Sequence, residues 1–293
     1  QPSSAWAFCD IALSNVRNVN FRGGDSYDMF ETSEKAQTVY FRVRHYPSDG
    51  CSYFVTFSKG QAGSYDRAMN GPGPEDLRYQ IYDGAAKNNV LKELPEATAA
   101  EVLSGSFGTS NTTTEHEYFV ALPAGQMITA GYYQDAVSVR LYEGTLSSHT
   151  HKDATSVSIE ARVLDSLQMC VVGCGSPFDP FAKSRTMAFG RMNPGDFREL
   201  DLLVRGNLDY EVMLRSQNRG VMKKTTSQGD VPYTLTFNGT VVDLSSGRIS
   251  VVLGNAPTPT TGDRYTLAAT IGNLDNAPPG SYQDNIDITV RSR

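Results

Sequence analysis

With 293 residues the chain is long enough for two domains of ordinary size, and 39% hydrophobic with 20% charged residues marks it as globular. A net charge of −6, a pI near 5.3 and the lack of any basic cluster exclude nucleic acid as a partner, because binding phosphates needs a basic face. No apolar run approaches the roughly 20 residues of a membrane-spanning helix. No signal-peptide pattern precedes Gln1, so an export signal is expected to have been removed or never to have existed.

The first residues, Gln1 to Phe8, are too few and too poorly alternating to form a strand. Beyond Cys9, period-two alternation predicts strands near 10–16, 37–44, 51–58, 78–83, 116–121 and 134–142, separated by turn-rich loops. The one helical candidate, 94–103, amounts to one or two short turns. After a polar stretch comes a strictly alternating segment: Val157, Ile159, Ala161 and Val163 on one face, Ser158, Glu160 and Arg162 on the other.

The remainder repeats what came before. Val19-Asn-Phe21 is echoed by Met187-Ala-Phe189, and Tyr53-Phe-Val-Thr-Phe57 by Tyr210-Glu-Val-Met-Leu214. Arg78-Tyr-Gln-Ile-Tyr-Asp-Gly84 matches Pro232-Tyr-Thr-Leu-Thr-Phe-Asn-Gly239, and Gly131-Tyr-Tyr-Gln-Asp135 matches Gly280-Ser-Tyr-Gln-Asp284. The offset shrinks gradually along the chain, so loop lengths differ while element order is kept. Two copies of one domain follow, with a boundary near 144–154 and domains of 1–147 and 148–293. About six strands per copy suit a β-sandwich with Greek-key connections. The segment 157–163 is then one strand beyond the two-copy count; copy one is followed by a strand it can use, and copy two by none in this sequence.

The four cysteines split two and two: Cys9 and Cys51, Cys170 and Cys174. Cys9 and Cys51 lack CxxC spacing and a neighbouring His; Cys170 and Cys174 could close a small disulfide ring or form half of a metal site. Disulfides are the favoured reading and imply an oxidising compartment. The four histidines accompany no hydrolase, metalloprotease or phosphate-loop motif, and His149-Thr-His151 lacks further ligands. No enzymatic activity, cofactor or metal is expected.

If successive strands of the first copy run antiparallel and the last ends near the linker, loops 17–36, 59–77 and 122–132 project together at the far end. They carry apolar residues without alternation to bury them: Tyr27, Met29 and Phe30; Tyr65 and Met69; Pro123, Met127 and Ile128. Such a set forms either an apolar contact surface or a cap folded onto the sandwich.

The duplicated motifs Pro123-Ala-Gly125…Gly131-x-Tyr133-x-Asp135 and Pro279-Gly280-Ser-Tyr282-Gln-Asp284 carry a resemblance to a known family. Ser158 to Val163 leading towards Cys170, Phe189-Gly190, and Tyr210…Arg219-Gly220 add to it. The chain resembles the spore coat protein U family, whose domains build archaic (Csu-type) chaperone–usher pili, over nearly all of 155–293 and more loosely over 9–143.

The resemblance implies tandem immunoglobulin-like, pilin-type sandwiches, the second lacking its final strand. In that family a chaperone and then the next subunit fill the gap by β-augmentation. Residues 157–163 would complete the first domain in cis, and the absence of an N-terminal donor strand would put the chain at the pilus tip. Expected partners are a periplasmic chaperone, the adjacent pilin subunit, the outer-membrane usher, and an abiotic or host surface gripped by the apolar loops, giving biofilm attachment. Export through the periplasm to the cell surface goes with this. Where these domains usually carry a Cys in the strand before Tyr210, this chain has Leu203-Val204-Arg205, which leaves Cys174 as partner for Cys170, beside Cys9–Cys51. A lectin-like tip using Tyr27 and Tyr65 is the alternative, and a non-adhesive structural pilin the third reading.

Overall fold

A computed structural model of the chain describes residues 9–110, 112–225, 228–275 and 277–293; the segment Gln1 to Phe8 lies outside them. The fold is all-β, with single 3-10 turns at Gly23–Asp25, Ala99–Glu101 and Leu244–Ser246 among the described residues. It divides into two compact units, Gln1–Leu164 and Asp165–Arg293.

Unit 1 is built from β1 (Ile11–Ser14), β2 (Val19–Phe21), β3 (Lys35–His45), β4 (Cys51–Phe57), β5 (Ala68–Met69), β6 (Leu77–Arg78), β7 (Gln80–Tyr82), β8 (Leu103–Phe107), β9 (Thr112–Leu122), β10 (Gly131–Thr145) and β11 (Ser148–Val163). One sheet has the order β1-β3-β9-β7, the other β2-β11-β10-β4-β8, and β5–β6 form a small ribbon. Neighbours run antiparallel except β2, which lies parallel to β11. The sequence pattern explains the layering. In β3, Phe41, Val43 and His45 are buried while Tyr40, Arg42 and Arg44 between them are exposed. The inward rows of both sheets meet in one core that includes Phe21, Phe41, Phe57, Val120, Val139 and Ile159.

Three expectations change here. Strand β11 starts at Ser148, nine residues before the alternating segment, and forms a long hairpin with β10 closed by the pair Thr145↔Ser148. Because 148–163 is bonded to β10 along its length, the division falls after Leu164, not at 147/148. Ser148 to Ser156 is polar on both faces and gave no alternation to read. The helical candidate 94–103 keeps only the turn Ala99–Glu101, held by Thr98 N–H donating to Glu101 Oε2 (2.9 Å). Leu103 then pairs with Val55 of β4, a tertiary pairing that overrides local helix preference.

Cys9 and Cys51 are joined, closing a loop of 42 residues beside the β1–β3 pair Ile11↔His45. On the chain-entropy account a loop of that length stabilises by about 4 kcal/mol. Replacing both cysteines with serine is therefore expected to lower the urea midpoint of unit 1 by that equivalent, leaving the transition of unit 2 in place.

Unit 2 comprises β12 (Leu167–Val172), β13 (Phe197–Gly206), β14 (Tyr210–Ser216), β15 (Val221–Lys224), β16 (Asp230–Phe237), β17 (Thr240–Val241), β18 (Arg248–Gly254), β19 (Asp263–Ile271), β20 (Tyr282–Gln283) and β21 (Ile286–Ser292). The larger sheet has the order β12-β13-β19-β16-β15-β20, with β17 on β16; the smaller is β18-β14-β21. Their facing rows, among them Leu202, Val204, Val212, Leu214 and Leu267, form the core. The chain is thus two tandem immunoglobulin-like sandwiches.

The expected Cys170–Cys174 bridge is absent: both are free thiols. Cys170 points from β12 into a small cluster with Val172 and Leu203, covered by Phe178 and Ala182, while Cys174 is exposed in the turn beyond. Local desolvation, then the carboxylates Glu199 and Asp201, push the Cys174 thiol up to about 11. It stays protonated at neutral pH, so alkylation by iodoacetamide at pH 7 is expected to be slow for Cys174 and negligible for Cys170 before unfolding. Rapid labelling of either in the native protein would contradict this.

Candidate functional site

The internal repeat lets the units be compared position by position. Tyr133-x-Asp135 corresponds to Tyr282-x-Asp284, so β10 corresponds to β21; Val19-Asn-Phe21 corresponds to Met187-Ala-Phe189. In unit 1 the space between these two elements is filled by β11. It pairs antiparallel with β10 (Asp135↔Ile159, Val137↔Val157) and parallel with β2 (Ile159↔Val19, Ala161↔Phe21). Its residues Val157, Ile159, Ala161 and Val163 are all buried in the core, with Ser158, Glu160 and Arg162 outward.

In unit 2 that space is open. Among the described residues β21 pairs with β14 alone, and 187–189 joins no ladder. Between them lies a cavity of about 740 Å³ lined by Met187, Phe189, Leu235, Leu267, Ile286 and Ile288. Phe21, Val19, Val137, Val139 and Leu141 are buried in unit 1, whereas their counterparts Phe189, Met187, Ile286, Ile288 and Val290 are only half-buried. Strand β21 thus presents an unpaired backbone edge beside a row of apolar side chains, the arrangement an added strand completes.

A carboxylate, buried in unit 1 and half-buried in unit 2, anchors the strand that borders this space in each unit. In unit 1 the Tyr79 hydroxyl donates to Asp135 Oδ2 (2.6 Å), and Oδ1 accepts from Gln61 N–H (2.8 Å) and Ala136 N–H (2.7 Å). Gly60, with φ of +71°, passes so close to this carboxylate that a Cβ would collide with it. In unit 2 Tyr233 and Ser216 hydroxyls donate to Asp284 Oδ2 (both 2.6 Å), and Asn218 N–H donates to Oδ1 (3.1 Å). Burial first, then the hydrogen bond to the carboxylate, raises both Tyr79 and Tyr233 above the usual phenol range. The lock holds β21 in place with the slot empty. The tyrosine and the aspartate recur together in the repeat, a signal for partnership that sequence reasoning passed over.

Beside the Asp135 lock, Arg67 is fully buried. Its guanidinium donates to the carbonyls of Ser58 (2.8 Å) and Leu91 (2.7 Å) and to Gln80 Oε1 (2.6 Å), and burial lowers its pKa. It ties loop 59–77 to β4 and β7.

Loops 17–36, 59–77 and 122–132 do meet at one end of unit 1. The Tyr27 hydroxyl donates to Pro123 O (3.0 Å) and accepts from Gln126 N–H (2.7 Å), Arg78 N–H donates to Gln126 Oε1 (2.8 Å), and Asn70 bridges to Gln134. That end is the one from which the chain leaves the unit, because Gly131 pairs with Val163 and Leu164 N–H donates to Tyr27 O. The expectation that they project at the far end is corrected: the strand β11 runs back along β10 and moves the exit to the start of β10. Tyr27, Met29, Met69 and Ile128 are buried, and Phe30 and Met127 pack half-buried against the core. Tyr65 is half-buried under Arg67, Lys59 and Lys92, and Pro123 is exposed. These residues cap the sandwich.

Residues 3–140 match the family model of the Spore Coat Protein U domain. Unit 1 is similar to the spore coat protein U domain. The match falls on the first copy, not on the second, where the resemblance in sequence looked tighter, and it ends within β10. The strand β11 that fills the slot of unit 1 thus lies beyond the matched residues. No curated protein sequence matches the chain. Among solved structures, the chain is similar to the CsuC–CsuE chaperone–tip adhesion subunit pre-assembly complex of Acinetobacter baumannii, at 15% identity over 97% of this chain and 99% of that one, with a TM-score of 0.42. The CupB6 tip adhesin from Pseudomonas aeruginosa matches at 10% identity over 97% and 93%, with a TM-score of 0.46. CfaE, the adhesive subunit of CFA/I fimbria of enterotoxigenic Escherichia coli, matches at 13% over 82% and 81%, with a TM-score of 0.40.

Proposed function

We propose that the chain is the adhesive tip subunit of an archaic chaperone–usher pilus, exported through the periplasm to the cell surface. In this reading unit 2 receives an extended strand, first from a periplasmic chaperone and, after handover at the outer-membrane usher, from the adjacent pilin subunit. The observation that carries it is the contrast between the filled slot of unit 1 and the open slot of unit 2. Unit 1 also supplies the template for the incoming strand: antiparallel to β21, parallel to 187–189, with large apolar residues at alternate positions. Each such residue, seated as Ile159 is, contributes about 1.5–3 kcal/mol of burial. Unit 1 has its slot occupied by β11 and is free for contacts outside the fibre. Attachment to abiotic or host surfaces, and with it biofilm formation, falls to the end opposite the chain exit, made by the turns 46–50, 108–110 and 145–148, where Tyr46 is exposed.

Ile288→Asp, which puts a carboxylate on the wall of the open slot, tests the reading. The variant is expected to lose copurification with its periplasmic chaperone at least tenfold while unit 1 keeps its own unfolding transition. Undiminished copurification would overturn the strand-acceptor role.

A further inference from the structure

A second concavity lies in unit 1, along the edge of β3. It has a volume of about 340 Å³ and is lined by Asn15, Arg17, Asn18, Gln37, Thr38 and Tyr40, with the Arg42–Glu115 pair at its rim. Its origin is topological. Strand β1 pairs with β3 only from Ser14↔Arg42 to Ile11↔His45; the chain then crosses at 15–18 to the other sheet, where β2 joins β11. From Thr38 to Phe41 the edge of β3 on that side therefore has no strand partner among the described residues.

The free edge is short. At one end β1 closes it, and at the other the Gln37 side-chain amide donates to Asn20 O (2.9 Å) and Asp25 Oδ2 (3.1 Å). Four residues span about 13 Å at 3.3 Å each, less than an ordinary strand of 5–6 residues. An added peptide strand does not fit; a compact ligand of one or two rings does.

The lining specifies its chemistry. Asn18 uses its Oδ1 to accept from Ser158 N–H (2.9 Å), which leaves its amide N–H groups to face the cleft. The side chains of Asn15, Arg17 and Tyr40 have no hydrogen bond or ion pair among the described residues. Tyr40 is 51% exposed, and its ring stands on the outward row of β3 with Thr38 and Arg42. Arg42 is compensated by Glu115 (2.9 Å), so the uncompensated cation of the cleft is Arg17.

An exposed aromatic ring to stack on, several free amide and hydroxyl groups, and one unpaired guanidinium together fit a sugar ring bearing a carboxylate. We propose that this cleft is a binding site for an acidic saccharide, with Tyr40 under the ring, Arg17 on the carboxylate, and Asn15, Asn18 and Thr38 on hydroxyls. The site belongs to unit 1 alone and stands apart from the strand-acceptor reading of unit 2. Sialic-acid-type residues of host glycans and uronic acids of bacterial polysaccharides share this chemistry.

The test uses the full chain in titration calorimetry against three probes: the methyl glycosides of N-acetylneuraminic acid, glucuronic acid and galactose. At least one acidic glycoside is expected to bind about tenfold or more tighter than the neutral one, and the preferred one names the source. Arg17→Ala should remove that preference and Tyr40→Ala should weaken binding of the preferred probe about tenfold, whereas Tyr132→Ala, also at an exposed tyrosine, should change nothing. All these positions are exposed, and an unchanged melting curve shows the variants folded. Equal or absent binding of acidic and neutral probes, or an Arg17→Ala protein that binds like the parent, would overturn the proposal.

Discussion

Ile159→Asp is expected to abolish the folding of unit 1, whereas Ser158→Ala, one residue away, is expected to be silent. Ile159 is fully buried between β10 and β2, facing Asp135 across the ladder and Val19 on the other side. The substitution loses about 2–3 kcal/mol of apolar burial and places a carboxylate where it has neither water nor a cationic partner, costing several kcal/mol more. The sum matches or exceeds the whole stability of a typical domain, about 5–15 kcal/mol. Ser158 lies on the outer face of the same strand. In urea unfolding followed by circular dichroism, the Asp variant should show one transition, that of unit 2, and the Ala variant both. A unit 1 transition surviving Ile159→Asp would mean that β11 is not an integral strand of the sandwich.

The second large effect is alkaline unfolding. Burial raises the phenols of Tyr27, Tyr53, Tyr79, Tyr118 and Tyr133 in unit 1, Tyr133 to about 12, and Tyr210, Tyr233 and Tyr265 in unit 2. Hydrogen bonds to Asp135, Asp263 and Asp284 raise Tyr79, Tyr210 and Tyr233 further, since a phenolate beside a carboxylate is disfavoured twice. Below about pH 10 these groups are protonated in both states, and the stability they protect is fully present. Above it the unfolded chain releases protons that the folded chain retains, so each tyrosine removes about 1.4 kcal/mol per pH unit until its folded pKa is reached. Tyr79, Tyr118 and Tyr133, the three in unit 1 that are raised furthest, together remove roughly 4 kcal/mol one unit above pH 10, close to the whole stability of a marginal domain. Phenolate absorbance from these tyrosines should therefore appear in one cooperative step together with loss of the strand signal, near about pH 11. Their smooth ionisation around pH 10 with the strand signal intact would contradict the burial.

The alternating strands, the duplication and the apolar face of 157–163 were legible because period-two patterning survives wherever one face is buried. What misled was the polar half of β11. Ser148 to Ser156 is solvated on both faces, so its strand character comes only from pairing with β10, and without it the exit of unit 1 was assigned to the wrong end. The loop residues Tyr27, Met69 and Ile128 lack periodicity because they cap an open sandwich end from irregular backbone, and apolar residues in loops look alike whether they cap or protrude. Cys170 and Cys174 illustrate the same limit: their spacing permits a ring, but β12 turns Cys170 inward while the turn leaves Cys174 outside. The cleft beside Tyr40 had no sequence signature, since it arises where β1 leaves the edge of β3.

The open slot of unit 2 is tested most directly by hydrogen–deuterium exchange of the full chain with and without a synthetic peptide of residues 153–164, Asp153-Ala-Thr-Ser-Val-Ser-Ile-Glu-Ala-Arg-Val-Leu164. Laid antiparallel to β21 and parallel to 187–189, the peptide pairs the free edge and buries Ile286, Ile288 and Phe189. The expected result is slowed exchange confined to 187–189 and 286–292, lost when Ile159 of the peptide is replaced by Asp. Exchange unchanged in those two segments at saturating peptide would contradict the account.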